Sequence, residues 1–236
     1  MTTAPQQESS GDDVPTMKKH SSTCYIRQNN FEFCGYKLKI ARILGADLGV
    51  SAYVWDSGLA LCRYFEKEKI NFTGRKVIEL GAGTGIVGIL AALLGGNVTI
   101  TDKPNCLMQI RNNVYINIPP VCRNRLKVRP LVWGEDQFNF PTDYDFILGS
   151  DIVYRFDAYA DLIDTLHQLC SEHTTIYLAT EFRTENQSMT FHDALITEYF
   201  NSSVVDSSKN RSIIVYKISR IGTNPYESEA AIAPEL

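Results

Sequence analysis

Residues 77–88 read VIELGAGTGIVG, an apolar run that ends in Gly81, Gly83, Gly85 and Gly88. A β-rich segment that feeds straight into such a turn, and from there into the helical pattern IVGILAALL, leaves few folds open. It is the strand–turn–helix unit of an open parallel sheet. Glycines at that turn let the backbone reverse sharply and let a ligand approach the main chain with no Cβ in the way, while the helix beyond offers free N–H groups to an anion. Two patterns overlap here, G-x-G-x-G from Gly81 to Gly85 and G-x-G-x-x-G from Gly83 to Gly88. Both belong to loops that hold nucleotide cofactors.

The chain around this loop has the matching rhythm. KVIEL is followed by a helical pattern at 85–94, NVTIT by one at 104–117, YDFILGS by one at 159–169 and TTIYLAT by one at 189–199, with RLKVRPLVW as a further strand. In the third of these helices Tyr159, Leu162, Ile163, Leu166 and Leu169 form one stripe, the spacing of a face packed on a sheet, and Asp161, Asp164 and His167 fall on the other side. NSSVVDSS and RSIIVYKIS then follow each other with only SSKN between them, which predicts a terminal antiparallel hairpin. Upstream, STCYIRQNNFEFCGYKLKIAR alternates polar and apolar residues around Gln28-Asn29-Asn30 and reads as a hairpin turning there. The expected architecture is therefore α/β and Rossmann-like: a seven-stranded, mostly parallel sheet with helices on both faces, a C-terminal antiparallel hairpin and an N-terminal hairpin extension. The expected division is a disordered tail at 1–20, the hairpin at 21–47, the cofactor-binding domain at 48–222 and a second tail at 223–236. The tails are polar and carry too little apolar surface to offset the entropy of ordering.

Bulk properties narrow the partners. A chain of 236 residues, 44% hydrophobic and 21% charged, can bury a sizeable single core. Its formal charge of −4 gives no general footprint for nucleic acid, and no apolar run approaches the roughly 20 residues that cross a bilayer, so neither nucleic acid nor membrane is expected as a partner. Six scattered cysteines without a C-x-x-C pair, and four histidines at no ligand spacing to them, predict reduced thiols in the cytoplasm or nucleus and no metal.

Asp102 closes the second strand of the alternation, about 20 residues after Gly81, where an open α/β sheet places a carboxylate on ribose hydroxyls. Glycine turn plus acid is shared by NAD-dependent oxidoreductases and S-adenosylmethionine-dependent methyltransferases. Glu79 helps to separate them, because a carboxylate inside an apolar strand needs a partner, and the ammonium of S-adenosylmethionine would supply one, directly or through water. A salt bridge to a nearby Lys or Arg would satisfy it equally.

VIELGAGTGIVGILAALLGGNVTITD resembles the cofactor motif of seven-β-strand methyltransferases and, in detail, of methyltransferase family 16, the intracellular protein-lysine methyltransferases; GVSAYVWDSGLAL, LVWG and FILGSDIVY match as well. The likeness covers about 48–178 and is nearest to members that act on heat-shock chaperones or on valosin-containing protein. It implies S-adenosylmethionine contacts at Trp55, Gly81, Ala82, Gly83, Asp102, Trp133 and Ser150, a monomer, and a protein substrate such as a chaperone or an AAA ATPase. Ser150 departs from the alanine frequent in close relatives.

The family's D-x-x-Y stretch is present as Asp151-Ile152-Val153-Tyr154, after the strand whose carboxyl end should lie beside the cofactor's reactive methyl. A lysine of pKa about 10.4 has no lone pair until deprotonated, at roughly 4.6 kcal/mol at neutral pH, and burial among aromatics removes part of that. Asp151 is expected to orient the incoming amine and Tyr154 to form a wall with a cation–π or hydroxyl contact. Three readings stay open beside this one: an oxidoreductase using NAD, a catalytically silent binding protein of the same fold, and a methyltransferase acting on arginine or a small molecule.

Overall fold

The computed structural model describes residues 25–44, 48–183, 188–209 and 212–222. The tails expected at 1–20 and 223–236 lie outside the described residues. The central sheet has seven strands in the order β5-β4-β3-β6-β7-β9-β8, formed by β3 (Lys76–Leu80), β4 (Asn97–Asp102), β5 (Leu126–Pro130), β6 (Phe146–Ser150), β7 (Thr175–Glu181), β8 (Phe200–Ser207) and β9 (Ile213–Arg220). All pairings from β5 to β7 are parallel, and the β8–β9 hairpin joins antiparallel through β9. The expected architecture is the one observed.

Alternation along the strands creates two cores. Val77 of β3 faces a cluster with α1 (Asp56–Lys67) and α2 (Ile86–Leu93), while Ile78 and Leu80 face a second cluster with α4 (Tyr159–Leu169). The α4 stripe is buried as the sequence predicts, and Asp161, Asp164 and His167 are exposed. Strand order reverses beside β3, whose neighbours β4 and β6 lead in opposite directions. That leaves a crevice beyond the carboxyl ends of these strands, the place where open sheets bind ligands.

The N-terminal hairpin forms a sheet of its own from β1 (Tyr25–Phe33) and β2 (Tyr36–Leu44). Its turn is at Cys34-Gly35, both left-handed with φ of 52° and 77°, and not at Gln28-Asn29-Asn30, which are exposed residues in the middle of β1. A polar run signals a turn only where burial does not demand one elsewhere; on an exposed strand it is simply a solvated face. A rod of amides holds the hairpin to α3 (Leu107–Asn117). Gln109, Asn113 and Asn117, four residues apart, accept from the N–H groups of Ile43, Ala41 and Lys39 at 2.8, 2.8 and 2.7 Å, and the two asparagines donate back to Ala41 and Lys39.

Two other expectations change. The helix at 189–199 is broken into an α-turn at Ser188–Thr190, a π-turn at Phe191–Leu195 and a 3-10 turn at Ile196–Glu198. Phe191 and Ile196 are both fully buried, and their spacing of five matches a π-turn. The strand expected to run through Trp133 stops at Pro130, which has no N–H to continue the ladder, so Trp133 lies in the turn beyond it.

Candidate functional site

The glycine turn begins where β3 ends. Gly81, Gly83 and Gly85 have φ of 59°, 56° and 80°, a region side chains resist, and α2 starts from Gly85 as its cap. A Cβ on Gly81 would stand 2.8 Å from Ile152 and 3.1 Å from Trp133, so only glycine lets the turn pass this close to the two side chains. Asp102, at the end of β4, accepts from the Gly83 N–H at 2.6 Å and the Lys103 N–H at 2.7 Å through different oxygens. The Cys106 side chain is a third donor, which leaves one of the carboxylate's roughly four acceptor positions open. Burial lifts this carboxyl above its ordinary range, with the two N–H groups pulling the other way.

Nine of the ten residues singled out from the sequence line one cavity of about 440 Å³: Trp55, Gly81, Ala82, Gly83, Asp102, Trp133, Ser150, Asp151 and Tyr154. Its volume suits a nucleoside-sized ligand. Trp55 caps α1, and its indole N–H donates to the Val50 carbonyl at 2.9 Å, which fixes the ring at the cavity mouth. Gly58 lets α1 come close to Ser150, whose Oγ would be 3.3 Å from a Cβ there. Asp151, just past β6, is buried and holds a left-handed φ of 53°, costly for a non-glycine residue, with its N–H on the Ala179 carbonyl at 2.8 Å. Tyr154 is half-buried, and burial pushes its phenol up, so it stays a neutral hydroxyl.

Glu79 is the exception and does not line the cavity. Strand alternation turns it onto the α2 face, where Oε2 accepts from the Gly88 N–H at 2.9 Å and caps the first turn of that helix. No Lys or Arg pairs with it among the described residues; burial raises its pKa to about 8, and Oε1 has no partner there. Gly88 is glycine for the same reason, since a Cβ would fall 2.4 Å from Glu79 Oε2.

The sequence reading missed several members. Cys106 and residues 48–51 also line the cavity. Gln109 and Asn113 reach the glycine turn itself, donating to the Gly83 and Thr84 carbonyls at 3.3 and 2.9 Å. Their four-residue spacing was a readable signal of a buried polar stripe on α3. Arg183, which pairs with Asp151, carries no local signal at all.

A glycine turn, a capped acidic strand end and a D-x-x-Y stretch now share one crevice, and the pattern of the family described as lysine methyltransferase matches residues 34–197. The chain belongs to the lysine methyltransferase family. It is 49% identical over 199 residues to EEF1A lysine methyltransferase 3 of Xenopus tropicalis, covering 84% of this chain and 88% of that one. The Mus musculus protein of the same name is 45% identical, covering 86% and 88%. Protein N-lysine methyltransferase METTL21A of Mus musculus is 38% identical, covering 80% and 86%. Among solved structures, the 16S rRNA methyltransferase RsmC of T. Thermophilus, in complex with AdoMet and guanosine, superposes with a TM-score of 0.62 at 15% identity, over 83% of this chain and 51% of that one. The magnesium protoporphyrin IX methyltransferase ChlM of Synechocystis with bound SAM does so with a TM-score of 0.54 at 14% identity, over 70% and 79%. These two share the fold. This lysine methyltransferase uses S-adenosylmethionine, and its cavity suits that cofactor: a glycine turn, the Asp102 carboxylate and aromatic walls at Trp55 and Trp133 line one space.

Proposed function

We propose that the enzyme methylates a lysine of EEF1A, or of a protein closely like it, in the cytoplasm and as a monomer, with residues 48–222 as the catalytic domain and the hairpin as its support. The acceptor follows from the names of the relatives at 49% and 45% identity; a chaperone or an AAA ATPase is the second choice. The observation that carries the site assignment is that Asp151 and Tyr154 line the same cavity as the glycine turn and Asp102.

Asp102 would hold the ribose hydroxyls, and Trp55 and Trp133 would flank the cofactor. Bound there, S-adenosylmethionine supplies a methyl on a sulfonium, released as the amine lone pair forms the new C–N bond and the electron pair of the broken C–S bond stays on sulfur. Asp151 accepts a hydrogen bond from the incoming amine and aims its lone pair, and the Tyr154 ring closes one side and excludes water. Neither residue needs to take a proton in the transfer. The strained φ of Asp151 is consistent with a residue held for such aiming.

The experiment is incubation of the full chain with recombinant EEF1A and labelled cofactor, followed by mass mapping. Methylation of a lysine that disappears with Asp151→Ala supports the reading. Label that goes to another protein in a cell extract while EEF1A stays unmodified overturns the acceptor.

A further inference from the structure

Arg183 lies two residues beyond the end of β7. Its Nη2 donates to Asp151 Oδ2 at 2.8 Å and to Glu181 Oε2, and the guanidinium carbon lies 5.0 Å from the centroid of the Trp55 ring. One side chain thus joins the aspartate just past β6, the last residue of β7 and the cap of α1. The Asp151 carboxyl is only 4% exposed, and a carboxylate so deeply placed needs a partner; Arg183, at 30%, supplies it from the solvent side. Asp151 lines the cavity and Arg183 is not among the described residues that do. Arg183 takes Oδ2, and Oδ1 has only the Glu181 N–H at a long 3.5 Å, so that oxygen keeps capacity for an amine.

A carboxylate at that place poses a problem for transfer, because alone it would hold an arriving lysine as the ammonium, which has no lone pair. We propose that Arg183 is a positioning residue of the methyl-transfer site: it pins the Asp151 carboxylate through Oδ2 and offsets its charge, so that the acceptor lysine is held there as the neutral amine. This rests on the reading of Asp151 as the group that receives the amine. Glu181 shares the guanidinium, so the cluster keeps one net negative charge with Arg183 and would carry two without it. The remaining charged groups on the cavity are largely matched. Asp102 is held by the Gly83 and Lys103 N–H groups and Arg155 pairs with Asp157, while burial keeps Cys106 and Tyr154 neutral; Lys103, Asp161 and the Tyr53 phenol complete the set.

The test is the initial rate of tritiated methyl transfer into lysines of a soluble cell extract, from about pH 7 to about pH 10, for wild type, Arg183→Gln, Arg183→Lys and Asp151→Asn. Arg183→Gln is expected to be about tenfold slower than wild type near pH 7.5 and within about twofold near pH 9.5, where more of the lysine deprotonates unaided. Arg183→Lys keeps the charge and stays within about threefold throughout, and S-adenosylhomocysteine affinity is unchanged in both Arg183 variants. An equal deficit at every pH, with Lys no better than Gln, overturns the proposal in favour of a merely structural clasp. A faster Arg183→Gln overturns it in favour of a plug. Wild-type rates in Asp151→Asn at every pH remove the reading beneath it, whereas a slow Asp151→Asn beside an unaltered Arg183→Gln removes this proposal alone. The protein that carries the label reports separately on the acceptor.

Discussion

The side-chain amide of Asn113 donates to the backbone carbonyl of Thr84 at 2.9 Å, tying α3 to the glycine turn. The same nitrogen reaches the Ala41 carbonyl at 3.0 Å, and the amide oxygen takes the Ala41 N–H at 2.8 Å, so one fully buried residue joins the hairpin to the cofactor loop. Asn113→Leu keeps the volume and strands three backbone groups. At ~1–3 kcal/mol for each buried group left unpaired, a loss on the order of 3 kcal/mol is expected in urea unfolding. S-adenosylhomocysteine affinity should fall by roughly tenfold, because the turn loses its outer support.

The pH dependence of stability should carry two opposed contributions. Glu79 keeps its proton to about pH 8 in the folded chain and loses it near 4.5 when unfolded, so stability falls as pH rises between those values, by at most about 1.4 kcal/mol per unit. His192, stacked on Tyr216 at 3.9 Å and buried, is pushed down to about 3 from 6.5, so stability is lost as pH drops below 6.5. Glu79→Gln is expected to be more stable than wild type by about 2–4 kcal/mol near pH 7.5 and no different near pH 4. His192→Phe should flatten the acid side alone. Denaturant unfolding at about pH 4, 6.5 and 8 separates the two.

Cofactor affinity should weaken in acid sooner than an ordinary aspartate would dictate. Burial raises the Asp102 carboxyl, and hydroxyl donors on a ligand favour its ionised form, so protonation and binding compete. Titration of S-adenosylhomocysteine from about pH 7 down to about pH 4 should show the decline in wild type. In Asp102→Asn it should be absent, from a starting affinity roughly a hundredfold lower.

Tyr154 is expected to act mainly through its ring. Tyr154→Phe should keep methyl transfer within about tenfold of wild type, and Tyr154→Ala should lose a hundredfold or more, since only the latter opens the wall to water. Equal losses in the two variants would transfer the role to the hydroxyl.

What the sequence showed and what it hid divide along the range of the interactions. The glycine turn, Asp102 and the α4 stripe are written in local spacing, and the structure keeps them where that spacing puts them. Glu79 was recognised as an anomaly, but its partner was not: the N–H it caps is nine residues on, across a strand–helix turn. The hairpin turn was misplaced because Gln28-Asn29-Asn30 has turn composition, while the left-handed pair Cys34-Gly35 has the conformation. Arg183 lies 32 residues from Asp151, and Asn113 lies 72 from Ala41. No periodicity spans such distances; only the amide spacing on α3 hinted at them.

The most direct test of the account is calorimetric titration of S-adenosylhomocysteine into wild type, Asp102→Ala and Asp151→Ala, with methyl transfer measured on the same samples. The cavity is predicted to divide its work between cofactor and acceptor: Asp102→Ala loses binding, and Asp151→Ala binds as wild type does yet transfers nothing. Binding that survives in Asp102→Ala, or full transfer by Asp151→Ala, would contradict it.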